Sequence, residues 1–79
     1  MAELIASNLL KGNAREYKLK DGRFVIVSRA YTSDHGDEVM AFQSNGNGEV
    51  TSWGDLYCAR AKWGDDMSDE AALKHLEGE

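Results

Sequence analysis

The stretch that decides the fold is Arg15-Glu16-Tyr17-Lys18-Leu19-Lys20-Asp21-Gly22-Arg23-Phe24-Val25-Ile26-Val27-Ser28-Arg29-Ala30-Tyr31. Two runs rich in β-branched and aromatic residues flank Asp21-Gly22, a dipeptide that supplies the positive backbone angles of a tight hairpin turn. A two-residue turn there predicts that Leu19 faces Phe24 and Tyr17 faces Ile26 on one side of the sheet. It sets Lys18 opposite Val25 and Glu16 opposite Val27 on the other side. The second run is apolar on both faces near its centre, so it reads as an interior strand covered on both sides. The second cover could be an N-terminal helix, the aliphatic stems of Lys18 and Glu16, or another copy of the chain, which keeps a homodimer in play.

Working outward, Ile5, Ala6, Leu9 and Leu10 fall at helical spacing before Gly12, which predicts a short helix over residues 3–11. Downstream, Glu38-Val39-Met40-Ala41-Phe42-Gln43 reads as a third strand and Glu49-Val50-Thr51-Ser52-Trp53 as a fourth, joined by a turn over residues 44–48. Residues 54–66 show no clear period. Ser68-Asp69-Glu70-Ala71-Ala72-Leu73-Lys74-His75-Leu76 reads as a helix: Ser68 caps it, Asp69 and Glu70 suit its positive end, and Lys74 and His75 suit the other. Ala72, Leu73 and Leu76 form its apolar stripe, and Gly78 closes it. The fold class predicted is α+β: an antiparallel meander of three to four strands with a short N-terminal helix and a C-terminal helix, forming a single domain over residues 1–79.

Composition narrows the function classes. Seventy-nine residues suffice for one core, and 42% apolar residues is too many for a disordered chain. The lone Cys58 excludes an internal disulfide and argues for a reducing compartment. No run approaches the roughly 20 apolar residues of a membrane span, and no signal-peptide pattern is present. The expectation is a cytoplasmic protein with no membrane partner. The net charge of −5 is unevenly placed: residues 1–31 carry six basic and three acidic side chains, whereas residues 32–79 carry three basic and eleven acidic ones. The acidic half repels phosphate backbones and attracts basic protein surfaces.

Motifs for chemistry are sparse. His35 lies beside Asp34 and Asp37, but no ligand spacing typical of a metal site accompanies it. Asn45, Asn47 and Glu49 lack the alternating carboxylates of a calcium loop. Gly46-Asn47-Gly48 lacks the third glycine and the helix of a dinucleotide site. Cys58 has no evident base and reads as a small buried hydrophobe. No catalytic residue, metal or cofactor is expected, and the chain reads as a binding protein. Arg15, Lys18, Lys20, Arg23 and Arg29 lie near Tyr17, Phe24 and Tyr31, so nucleic-acid binding by the 15–29 hairpin is the alternative; Glu16 and Asp21 interrupt that patch. Of the two tryptophans, Trp53 is expected in the core and Trp63 at the surface as a partner anchor.

Phe24-Val25-Ile26-Val27-Ser28-Arg29-Ala30, Glu38-Val39-Met40-Ala41-Phe42, Gly48-Glu49-Val50-Thr51-Ser52-Trp53-Gly54-Asp55-Leu56 and Glu70-Ala71-Ala72-Leu73 together resemble a group of small phage and prophage proteins. The likeness spans residues 24–76 and rests mainly on Gly-Glu-Val-x-x-Trp-x-x-Leu; Tyr57-Cys58-Ala59-Arg60 departs from the glycine-containing turn expected there. Small acidic proteins of that setting are often inhibitors of host defence, among them anti-CRISPR proteins that engage the basic, nucleic-acid-handling surface of an effector complex. The resemblance thus implies a protein inhibitor of a CRISPR effector that acts as a nucleic-acid mimic. The candidate contact residues are Asp34, Asp37, Glu38, Asp55, Trp63, Asp65, Asp66, Asp69 and Glu70. A structural phage protein, oligomerising through an outer face at Val25 and Val27, is a further alternative.

Overall fold

The computed structural model describes residues 2–8, 14–34 and 36–78. Five strands, β1 (Glu3–Asn8), β2 (Ala14–Lys18), β3 (Phe24–Thr32), β4 (Gly36–Ser44) and β5 (Val50–Arg60), form one antiparallel sheet in sequential order. A 3₁₀ turn (Ala61–Trp63) and an α-helix, α1 (Asp69–Leu76), follow. The class is α+β with a larger β share than the sequence implied.

The N-terminal helix is a correction. Residues 3–8 are extended and pair with β2, with a bulge between Leu4 and Ala6; residues 9–11 of the expected helix lie outside the described residues. A helix over residues 3–11 would make fewer than three turns, marginal without packing, and β2 offers residues 3–8 a hydrogen-bond ladder instead.

The hairpin forms, but one residue out of the expected register. Gly22 N–H donates to the Leu19 carbonyl at 2.9 Å and Leu19 N–H to the Arg23 carbonyl at 2.7 Å. The loop is therefore three residues, Lys20-Asp21-Gly22, with Gly22 at φ 94°, the next most common hairpin design after the two-residue turn. Tyr17 consequently pairs with Val25, Glu16 with Ile26 and Lys18 with Phe24. Because side chains alternate, a slip of one residue exchanges the faces of the whole strand.

That exchange builds the core. Tyr17 joins Val25 and Val27 on the face covered by α1, where Val27, Val39, Ala41, Ala59 and Ala72 form a buried cluster flanked by Tyr57, Met67, Leu73 and Leu76. Val25 and Val27 are each 1% exposed, so they do not form an outer oligomerisation face. Glu16 instead goes to the opposite face beside Ile26, and both are fully buried. Its carboxylate accepts the N–H groups of Gly46 at 2.8 Å and Gly48 at 2.9 Å, so the β4–β5 turn is clasped onto this face. A buried charge is tolerable only when hydrogen-bonded in this way. Gly46, at φ 87°, also lies against the Phe24 ring, where a Cβ would approach to 3.0 Å. As expected for an interior strand, β3 is buried on both faces over residues 25–27.

Helix α1 begins as its cap predicts: the Ser68 hydroxyl accepts the Ala71 N–H at 3.2 Å. It ends with Gly78 at φ 78°, whose N–H bonds the His75 carbonyl at 3.2 Å.

Candidate functional site

Residue Asp69, expected to bind a partner, is turned inward. Its carboxylate accepts hydrogen bonds from the Tyr17 hydroxyl at 2.5 Å, Arg15 Nη1 at 3.2 Å and Arg29 Nη2, and only 12% of its side chain is exposed. Arg29 Nη1 also donates to the Met67 carbonyl at 2.6 Å. This network ties the first turn of α1 to β2 and β3. Burial pushes the Asp69 carboxyl up, but the three donors outweigh it and hold the group below its ordinary range. Burial first, then the hydrogen bond to Asp69 and its negative charge, push Tyr17 up to about 12.

A cleft of about 890 Å³ lies between α1 and β2, lined by Arg15, Tyr17, Arg29, Asp69 and Leu73. Its two arginines are engaged by Asp69, and Arg23 is held by Asp21 and by the Leu76 carbonyl at 2.8 Å. Three cations of the basic hairpin are thus engaged within the molecule.

The carboxylates of the second half converge elsewhere. The turn after β3 meets the segment after β5: Glu38 pairs with Arg60 across the β4–β5 ladder, and Lys62 Nζ donates to the Asp34 carbonyl at 3.3 Å. Arg60 is central to this corner. Its Nε donates to Glu38 Oε2 at 3.1 Å, its backbone N–H donates to Asp65 at 3.0 Å, and its guanidinium lies 5.1 Å from the centre of the Trp63 ring. Trp63 is 63% exposed and Tyr31, paired with Asp37 across β3–β4, is 75% exposed. Asp66 bends back to accept the Ser68 N–H at 2.9 Å, which holds its carboxyl below the ordinary range. Asp66 lines a hollow with Tyr57, Lys74 and His75 on the α1 side of β5, and burial together with the charges of Asp65 and Asp66 pushes Tyr57 up.

This end of the sheet thus brings Asp34, Glu38, Asp65 and Trp63 around Arg60 and Lys62, with Asp37 on the opposite face beside Tyr31 and Asp66 against α1. Asp69 is excluded by its internal network. Glu70 stands on α1, 3.8 Å from Lys74, and Asp55 sits apart, on a bulge of β5. There Trp53, Gly54, Asp55 and Leu56 intervene between the Ala41–Tyr57 and Gln43–Ser52 pairs, where β4 has Phe42 alone. The bulge corrects the expectation for Trp53, which is 70% exposed and touches Phe42 edge-on at 5.3 Å between ring centres. A strand slot that would have turned this ring into the core does not exist once three extra residues are accommodated. Sequence reasoning missed Tyr31 and Arg60 as parts of the corner; the only available signal for Tyr31 was its position at a strand end before a polar loop.

Cys58 and Tyr57 are neighbours on β5 and point to opposite faces, and His75 stacks on Tyr57 at 5.2 Å, across the sheet from the thiol. Burial pushes the Cys58 thiol up, away from the reactive thiolate. Among the described residues no group of three or more His, Cys, Asp or Glu could hold a metal ion, and no helix is long and apolar enough to cross a membrane; His35 lies outside the described residues. Comparison with family profiles, curated proteins and solved structures finds no match to this chain.

Proposed function

We propose that this chain is a stoichiometric protein inhibitor whose Asp34–Asp66 corner engages a basic, nucleic-acid-handling surface, with a bacterial CRISPR effector as the target that its resemblance to phage-encoded proteins suggests. The observation that carries this reading is the pairing of exposed aromatic rings with carboxylates at one end of the sheet. Tyr31 pairs with Asp37 across β3–β4, and on the other face of the same sheet end Trp63 lies against Arg60, itself bound to Glu38, within the range of a cation–π contact. A partner's lysine or arginine meets both attractions there: carboxylates for its charge and ring faces for its cation. Exposed Trp and Tyr are the residue types that dominate protein interfaces.

The hairpin alternative is disfavoured because Arg15, Arg23 and Arg29 already hold internal acceptors. Binding is tested by capture of effector proteins from a bacterial lysate, followed by titration of the purified partner. Asp34→Lys with Asp37→Lys should weaken binding about tenfold and flatten its salt dependence, and Trp63→Ala should weaken it independently. Asp65 and Asp66 are poor probes, since both satisfy local backbone N–H groups. Unchanged affinity in both variants would refute the corner. Binding of bare DNA, lost on replacing Lys18, Lys20 and Arg23, would favour the hairpin instead.

A further inference from the structure

Among the described residues β1 pairs only with β2, so the outer side of Glu3–Asn8 presents unpaired backbone N–H and C=O groups at the sheet edge. Such an edge is a template for another strand unless charge, proline or a covering segment blocks it. The only charge of β1 is Glu3 at its start, while Leu4 and Ile5 are 53% and 43% exposed. The bulge between Leu4 and Ala6 adds a single residue, Ile5, and interrupts the edge at that one point. The opposite edge differs. There β5 is broken by the 53–56 bulge, which carries Asp55 and the exposed Trp53. A head-to-tail contact of β1 on β5 would meet that bulge of three extra residues, whereas β1 on β1 meets only the one-residue bulge at Ile5 and closes about a two-fold axis.

We propose that two copies of this chain associate through antiparallel pairing of their β1 edges, joining the two five-stranded sheets into one. Antiparallel self-pairing directs Glu3 of one copy toward Asn8 of the other, so the strand's single charge does not meet itself. Leu4 and Ile5 then lie against the uncharged Ala6 and Ser7. Among the described residues the nearest cations are on β2, where Lys18 sits opposite Glu3 and Arg15 is bound to Asp69. The two β2 strands would lie three strand spacings apart, about 14 Å, well beyond the Debye length of about 8 Å. The pairing leaves the acidic corner exposed, because that corner belongs to the β4–β5 side of the sheet. A six-residue strand covers far less than the roughly 1,600 Å² of a standard interface, so the affinity belongs to the weak, transient class.

Sedimentation equilibrium of the full chain from about 10 µM to about 1 mM brackets that affinity. The average mass should rise from 8.7 kDa toward twice that value. Ile5→Lys should raise the dissociation constant at least about tenfold with an unchanged circular dichroism spectrum. Amide shifts of the unmodified chain provide a readout that needs no variant: those that move with concentration should be confined to Glu3–Asn8 and its neighbours on β2. A monomer throughout the range, shifts centred elsewhere, or a dimer abolished by Trp53→Ala but not by Ile5→Lys would overturn the proposal.

Discussion

Replacing Asp69 by Asn keeps the shape of the side chain and removes the charge that Arg15, Arg29 and Tyr17 converge on. Hydrogen bonds to a charged group contribute about 1.5–3 kcal/mol each when buried. The arginine side chains here are 50% and 40% exposed, so they rehydrate on release and their share falls toward the 0–1 kcal/mol of surface pairs. Tyr17 can still donate to the Asn oxygen. The net loss is therefore about 2 kcal/mol, which for a domain this small lowers Tm by about 8–16 °C. The measurement is urea denaturation followed by far-ultraviolet circular dichroism, because both tryptophans are exposed and report poorly on unfolding. The pH dependence is a second check. The folded-state pKa of Asp69 is depressed, so its contribution is present above the unfolded value near 3.8 and is lost as pH falls through the lower folded value. The gap between wild type and D69N should accordingly close in acid. A D69N variant within about 0.5 kcal/mol of wild type at neutral pH would refute the view that this network anchors α1.

Tyr17 titrates in the opposite sense: its pKa is raised from 10.0 to about 12, so its contribution is present below pH 10 and fades as pH climbs through about 12. Tyr17→Phe should remove that alkaline loss of stability, measured by denaturation across the same range. Glu16→Ala, which strands two buried N–H groups of the Gly46–Gly48 turn, should cost about 2–4 kcal/mol and loosen that turn in hydrogen exchange; protection unchanged at Gly46 and Gly48 would contradict the clasp. Gly46→Ala and Gly22→Ala share a left-handed φ, but a Cβ at Gly46 meets the Phe24 ring at 3.0 Å whereas Gly22 faces open space. Gly22→Ala should cost about 1 kcal/mol, Gly46→Ala clearly more, and equal losses would argue against the contact.

Much of the fold was legible in the chain itself. The meander, the interior character of β3 and the capped C-terminal helix follow from alternation, glycine placement and Ser68. What misled was local ambiguity. Asp21-Gly22 is compatible with two- and three-residue loops, and only the ladder as a whole decides between them. Residues 3–8 satisfy a helical and a strand pattern equally over so short a run, and β2 decided for the strand. Strand β5 was read as ending at Trp53, because three extra residues hide its continuation to Arg60.

The same division holds for the candidate site. Charge counting locates acidity in the second half, since net charge is a property of composition alone. Whether a given carboxylate faces outward is a property of register and of what packs above it. A one-residue shift in the β2–β3 hairpin brings Tyr17 under α1 to meet Asp69 and sends Glu16 to the far face to hold the Gly46–Gly48 turn. Two acids are thereby made structural, while Asp34 and Asp37 remain exposed, Asp37 across the ladder from Tyr31. Chain-local chemistry determines strands, caps and total charge; the pairing of distant strands determines which charges stay available to a partner, because only tertiary contacts decide where each alternating side chain points.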